Sequence, residues 1–301
     1  MITTLFSDLC EIVQEDEPMA DHTSFGVGGP VRYFLEPRSW EELQLIYERG
    51  ESAGLPVRIL GGGSNTLVTD GPHSWVVIST RRLDWSRRYG SRIEVGAGLP
   101  LPKLVSMAEA WGLGGFEVLA GIPGSIGGAV AMNAGGRYGD VAKTLVGGIV
   151  APPGQMPHWA NAGELALRYR GSGFHDRRLF LFSALFDLRS VAPRHIQERR
   201  LSIVAEKRAT QPVDSRSAGC VFKNPPGTTA GLLIDRAGLK GAQIGGAMVS
   251  HKHANFVVNR GNATADEILR LIALVAQRVQ ETSGVRLELE IEVWRDEETR
   301  S

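Results

Sequence analysis

The stretch Gly121-Ile122-Pro123-Gly124-Ser125-Ile126-Gly127-Gly128-Ala129-Val130-Ala131-Met132-Asn133-Ala134-Gly135 is the most informative in the chain. From Gly121 to Met132, six residues are Gly or Ala. Backbone this bare can lie directly against a flat or extended ligand, because few side chains hold the ligand off. Tight packing of turns is the purely structural alternative. A second bare run, Gly61-Gly62-Gly63-Ser64-Asn65-Thr66, follows a strand predicted at 56–60. Successive backbone N–H groups there can form an anion-cradling nest, with phosphate or pyrophosphate as the natural guest. A flexible glycine turn is the alternative. The run has neither the G-x-G-x-x-G spacing nor the G-K-[ST] ending, so a Rossmann fingerprint and a P-loop are both unsupported. Two glycine beds in one chain suggest one large ligand carrying a diphosphate.

Composition narrows the setting. Glycine numbers 37 of 301 residues, about 12% against a usual ~7%. Hydrophobic residues are 43% and charged residues 22%, the proportions of a globular protein long enough for two or three domains. Net charge is +0, which points away from nucleic acid and anionic membranes. No apolar run approaches the length of a membrane span, and the acidic N-terminal stretch lacks the basic region of a secretory signal. Two cysteines, Cys10 and Cys220, argue against a disulfide framework or a zinc site and fit a reducing cytoplasm. Cys10, among Leu9, Ile12 and Val13 in a predicted short helix, reads as a buried small hydrophobe.

Around the beds, strands are predicted at 31–35, 56–60, 74–80, 92–95, 179–188, 253–259 and 285–294. Helices are predicted at 101–111, 196–210 and 230–237. Ser39 with Glu42, and Thr264 with Glu267, read as capping boxes opening two more. Behind Thr264, the residues Ile268, Leu271, Ile272, Val275 and Val279 fall at helical spacing and mark a core face. The arginines of 81–90 read as a solvated hairpin edge.

Three places carry possible chemistry. Ser217-Ala218-Gly219-Cys220-Val221-Phe222-Lys223-Asn224-Pro225 is a small-residue turn presenting one thiol, followed by an apolar anchor, a cation and an amide. A buried structural cysteine is the alternative there. Arg170, in Tyr169-Arg170-Gly171-Ser172, is a functional cation or a surface charge. In the alternating stretch 285–294, Glu288, Glu290 and Glu292 share one predicted face, and periodicity does not choose among them. His251 and His253 lack a nearby third ligand, so no metal is expected.

Over nearly its whole length the chain resembles the UDP-N-acetylenolpyruvoylglucosamine reductases. The matching stretches are H-T-S-F-G-V-G-G at 22–29, L-G-G-G-S-N at 60–65, G-I-P-G-S-I-G-G-A-V-A-M-N-A-G at 121–135, Y-R-G-S at 169–172, S-A-G-C-V-F-K-N-P at 217–225, G-L-K-G at 238–241, V-S-H-K-H-A-N-F at 249–256 and L-E-L-E at 287–290. Each alone is weak to moderate; in the family's order they are specific together. The resemblance implies an α+β fold. A split FAD-binding module of the vanillyl-alcohol-oxidase type would occupy 1–82 and 83–192, with a C-terminal α+β substrate domain at 200–301. The closing strand would return toward the first domain.

The resemblance also implies a reaction. NADPH is the co-substrate, reducing non-covalently bound FAD. The reduced flavin passes hydride to C3 of the enolpyruvyl group of a UDP-sugar. Arg170, Cys220 and Glu290 then match the catalytic positions, with Cys220 the proton donor to C2. Gly61, Gly62, Gly63, Ser64, Asn65, Gly121, Ile122, Pro123, Gly124, Ser125, Gly127 and Gly128 match the cofactor bed. Tyr169, Lys223, Asn224 and Asn255 match substrate contacts. The partners implied are small molecules alone, with no nucleic acid and no membrane insertion; no protein partner is indicated, and the location is cytoplasmic. Three positions depart from the family: Cys220 where serine is usual, Gly171 where aspartate commonly follows the arginine, and His22 where asparagine is common. Two other readings are a different flavin oxidoreductase on the same module, which calls for a different third domain, and a non-catalytic binder, which calls for loss of Arg170, Cys220 or Glu290.

Overall fold

The computed structural model describes residues 5–152, 154–174 and 179–296. They gather into two compact units, each assembled from separate stretches. The first draws on the described residues of 1–16, 32–62 and 74–205; the second on those of 17–31, 63–73 and 206–301. Helices and strands are both present in each unit, in an α+β arrangement.

In the first unit, one sheet has the order Val13–Pro18, Pro30–Leu35, His73–Ser79, Val57–Leu60. Its last two strands are parallel, with Val57 opposite Val76 and Leu60 opposite Ser79. Helix α1, Trp40–Ser52, buries Leu43, Ile46 and Tyr47 in a cluster with Tyr33, Leu35, Val76 and Ile78. Ser39 Oγ accepts from Glu42 N at 3.3 Å, as an N-cap should. The returning arm differs from a capping box: the Glu42 carboxylate accepts from Arg38 N at 2.6 Å instead of from the cap residue. The N-terminal stretch does not form the predicted short helix. Ser7–Leu9 forms a single 3-10 turn, so Phe6 and Ile12 take the buried positions and Cys10 is exposed.

The same unit holds a five-stranded antiparallel sheet, in the order His158–Asn161, Leu145–Ala151, Phe180–Asp187, Arg92–Gly96, Ser86–Tyr89. The last two strands form the predicted arginine-bearing hairpin, and Arg87 and Arg88 are exposed there. Against the sheet pack α2, Leu101–Ala110, and α3, Ile126–Ala131, within one large apolar cluster. Helix α4, Pro193–Thr210, starts on a proline, whose missing N–H costs nothing in a first turn.

In the second unit, α5 is Ala230–Arg236 and α6 is Ala265–Ser283. The α6 stripe Ile268, Leu271, Ile272, Val275 and Val279 is buried, as its spacing predicts. Each such side chain contributes about 1.5–3 kcal/mol relative to leaving it in water. Both arms of the Thr264–Glu267 capping box are present. The Asp70 carboxylate adds a further cap, accepting from Ala265 N at 3.1 Å and Asp266 N at 3.0 Å. A three-stranded sheet, Gln243–Ile244, Ala247–Val249 and Val257–Asn259, completes the core, and Glu292–Trp294 pairs in parallel with Thr66–Val68.

Two predicted strands are much shorter than expected. The 253–259 strand keeps only Val257–Asn259, because the residues before it turn to place the Asn255 side chain inward. The 285–294 strand keeps only Glu292–Trp294. Before it, Glu290 N and Ile291 N both point at Val221 O, at 2.8 and 3.5 Å. Two residues opposing one slip the register. Leu289 is therefore 40% exposed while Leu287 and Ile291 are buried, so the strict alternation expected over 285–294 does not hold.

Candidate functional site

In the first unit the two glycine beds meet. A Cβ on Gly62 would lie 2.6 Å from Gly124 Cα, and one on Gly61 would lie 2.5 Å from Ser125 Oγ. Gly62 is stacked on backbone and Gly61 on the Ser125 hydroxyl, which is why these positions carry no side chain. Gly121 and Gly124 also have φ of 72° and 105°, a region that costs other residues dearly. Ser125 caps α3 by accepting from Gly128 N at 3.4 Å. Ile126 N and Gly127 N bond to Leu99 O and Ala97 O at 2.9 and 2.7 Å, which fixes the ledge to the sheet side of the unit. Ile122 N bonds to Leu119 O at 3.1 Å, so Gly121, Ile122 and Pro123 form the lip before it. We expect Gly62→Ala to destabilise the protein by about 1–3 kcal/mol, the usual cost of forcing atoms into filled space. Urea unfolding with an unchanged midpoint would contradict this.

The end of the longer bed holds Arg170. Arg168 and Gly171 exchange N–H···O bonds of 2.9 and 3.2 Å, leaving Tyr169 and Arg170 at the tip of a tight turn. Arg170 sits at φ 51°, an uncommon conformation for a long side chain. Its Nη2 donates to Gly135 O at 2.7 Å, and its guanidinium lies 5.2 Å from the Tyr169 ring centroid. Two residues absent from the sequence-based set anchor this turn. Buried Ser172 donates to Ala131 O at 2.6 Å, and Asn133 Nδ2 donates to Arg168 O at 3.3 Å. The sequence signal is an asparagine just past the end of α3, a residue type that tolerates the left-handed conformation; Asn133 sits at φ 42°. Gly171 carries no carboxylate to orient Arg170; the Gly135 carbonyl provides one such contact.

In the second unit, Cys220 and Glu290 belong to one backbone ladder centred on Val221. Val221 and Phe222 are buried, as an anchor should be. Cys220 forms a bridge with Phe256, and Phe222 forms one with Leu289. Val221 N bonds to Asn255 O, and Lys223 N to Glu288 O, both at 2.8 Å. Cys220 and Glu290 are each half-buried. Asn255 is 3% exposed, and its amide grips both sides of Phe222: Oδ1 accepts from Phe222 N at 3.0 Å, and Nδ2 donates to Phe222 O at 2.7 Å. His253 Nδ1 accepts from Asn255 N at 3.3 Å. Burial, helped by Lys240, pushes the His253 pKa down and favours the neutral ring this contact needs. Asn224 Oδ1 accepts from Ala230 N at 3.0 Å, and Lys223 faces Glu288 at 3.8 Å.

Gly63, Ser64 and Asn65 also belong to this unit. Gly63 O accepts from Ser24 N at 3.0 Å, and a Cβ on Gly63 would overlap the His22 carbonyl oxygen. The H-T-S-F-G-V-G-G stretch is thus packed against the end of the shorter bed. His22 itself bonds Glu17 through Nε2 at 2.8 Å. Among the described residues no cluster of three or more His, Cys, Asp or Glu side chains is placed to hold a metal, and no helix is long and apolar enough to cross a membrane.

Comparison with known proteins agrees with this division of features. Residues 31–151 match the FAD binding domain, and residues 211–294 match the UDP-N-acetylenolpyruvoylglucosamine reductase C-terminal domain. The first match spans both glycine beds; the second spans the Cys220–Glu290 ladder. The UDP-N-acetylenolpyruvoylglucosamine reductase of Moorella thermoacetica is 42% identical over 282 residues, covering 94% of this chain and 93% of that protein. That of Syntrophotalea carbinolica is 42% identical, covering 93% and 94%. The crystal structure of the Thermus caldophilus reductase is 38% identical with a TM-score of 0.80, covering 94% of this chain and 98% of that one. With both ends of the site architecture matched and identity sustained along the chain, this protein belongs to the UDP-N-acetylenolpyruvoylglucosamine reductase family.

Proposed function

We propose that this protein reduces UDP-N-acetylglucosamine enolpyruvate to UDP-N-acetylmuramate with NADPH, in the cytoplasm, as a step of peptidoglycan precursor synthesis. The observation that carries the reading is the single ladder holding Cys220 and Glu290 on either side of Val221. A thiol and a carboxyl fixed by one short backbone segment are suited to acid chemistry on one small group. The bare ledge of Gly61, Gly62, Gly124, Ser125, Gly127 and Gly128 fits FAD, since runs of glycine leave backbone open to close approach by a ligand. When bound, FAD supplies the hydride that the enolpyruvyl C3 receives. Cys220 gives its proton to C2 and regains one from solvent. Arg170 stabilises charge gathering on the substrate carboxylate, and Glu290 polarises that same group. Tyr169, Lys223 and Asn224 are assigned to substrate contact. Asn255, buried and bonded to Phe222, is assigned to holding the Cys220 turn. Residues 1–82 and 83–192 serve the cofactor, and 200–301 the substrate.

The purified protein should be yellow, and its NADPH oxidation should require UDP-N-acetylglucosamine enolpyruvate. A folded protein without flavin affinity, or NADPH oxidation indifferent to the enolpyruvyl ether, overturns the reading. Gly128 gives a finer check. A Cβ there would meet nothing nearer than Ser125 Oγ at 3.7 Å. Gly128→Ala should therefore leave the flavin-free fold intact or stabilise it by up to about 1 kcal/mol, as alanine does inside a helix. It should still weaken FAD binding, because the new methyl group would occupy the ligand's side. Unchanged flavin affinity in a titration would remove Gly128 from the bed.

A further inference from the structure

We propose that Asn65 is a positioning residue for Glu290, an inference that rests on the role just given to Glu290. Glu290 lies outside the regular strand, so strand pairing alone does not set its direction. The two peptide planes that flank it do. The plane before it is held by Glu290 N bonding to Val221 O at 2.8 Å. The plane after it is held on both edges: Ile291 N points to Val221 O at 3.5 Å, and Glu290 O accepts from Asn65 Nδ2 at 3.0 Å. Asn65 O in turn accepts from Glu292 N at 2.8 Å. With both planes fixed, the direction of the Glu290 Cα–Cβ bond is fixed too. Of these contacts, only the Asn65 amide is a side-chain contact that substitution can remove. The glycine-rich run thus does more than offer bare backbone: Asn65, near its end, steers the Glu290 side chain.

Aspartate at position 65 is nearly isosteric but replaces the donor by an acceptor facing the Glu290 carbonyl. The Glu292–Trp294 pairing with Thr66–Val68 uses main-chain atoms and survives this change, so the disturbance is confined to residues 290–291. The test uses the flavin-loaded enzyme and follows the flavin spectrum by stopped flow. With its amide given to the Glu290 carbonyl, Asn65 leaves the cofactor bed that the resemblance implied, so Asn65→Asp should keep its FAD content and its rate of flavin reduction by NADPH. Flavin reoxidation by UDP-N-acetylglucosamine enolpyruvate should slow by roughly 10–100-fold, the scale of an ångström-level misplacement. Asn259→Asp is the control. Asn259 is a buried amide of the same unit whose Nδ2 donates to Phe25 O at 2.8 Å; its loss should lower the melting temperature while leaving both half-reactions intact. Should Asn65→Asp not fold, Asn65→Ser carries the same test. Loss of FAD, equal slowing of both half-reactions, or wild-type reoxidation in the Asn65 variant overturns the proposal. Glu290→Gln separates the two levels. If it reoxidises at the wild-type rate, the role of Glu290 has failed; if it is slow while Asn65→Asp is normal, only the positioning role has.

Discussion

Cys220→Ala should turn over roughly 10²–10⁴-fold more slowly than the wild type, the range that one well-placed general acid supplies, while Cys220→Ser keeps substantial activity. Val221 and Phe222 are buried directly after Cys220, Phe256 bridges it, and Gly219 before it sits at φ 77° with nothing within 4 Å of a would-be Cβ. Gly219 is therefore required for its backbone conformation and not for space. None of these supports depends on the Cys220 side chain, so Ala and Ser both leave the turn in place. What changes is the proton. Alanine has none to give. Serine presents a hydroxyl in nearly the same place, and it is the residue usual in the family the chain resembles. A thiol ordinarily titrates near ~8.5, far below an alcohol. Steady-state turnover of the three proteins decides the matter: if the Ala variant turns over like the wild type, Cys220 is not the donor. Peroxide should slow the wild type and spare the Ser variant, since only the thiol oxidises readily.

Some of this site is written in local sequence and some is not. The glycines are readable because close approach of two backbones admits no other residue: Gly62 against Gly124 is a constraint that each position records alone. The α6 stripe and the Thr264–Glu267 box are readable because their partners lie within a turn or two of the same helix. The stretch 285–294 misleads because alternation presumes a full partner strand. Only Leu289 bridges Phe222, and two N–H groups then share the Val221 carbonyl, so the faces slip. Cys10 misleads in the same way, since a 3-10 turn rotates it outward where a helix would have turned it inward. Asn65 is the hardest case. Its partner carbonyl is 225 positions away, and nothing near L-G-G-G-S-N reports it. The sequence could place the asparagine at the end of a glycine run, but not the peptide it holds.

Arg170→Lys should lower turnover by roughly 10²–10³-fold, the cost of losing a preorganised donor to developing charge, while FAD binding and flavin reduction by NADPH continue. The substitution preserves charge, so the expected loss has to come from geometry. In the wild type Nη2 is occupied with Gly135 O at 2.7 Å. That bond orients a rigid planar fork, and the fork's remaining donors keep their directions. A lysine ammonium is one rotating point charge. If it bonds Gly135 O, it is drawn toward the glycine bed; if it turns to the carboxylate, it loses the contact that directs it. The backbone sharpens the effect, because Arg170 is held at φ 51° by the reciprocal Arg168–Gly171 bonds and by Ser172 on Ala131. Such a conformation costs of order 1–3 kcal/mol and persists where the surroundings over-determine it. The turn therefore keeps its shape in the lysine variant, and the loss falls on chemistry more than on folding. Stopped-flow reoxidation by the enolpyruvyl substrate, set beside thermal unfolding, separates the two. Reoxidation at the wild-type rate in Arg170→Lys would mean that charge alone suffices and that the fork held by Gly135 has no part in stabilising the substrate carboxylate.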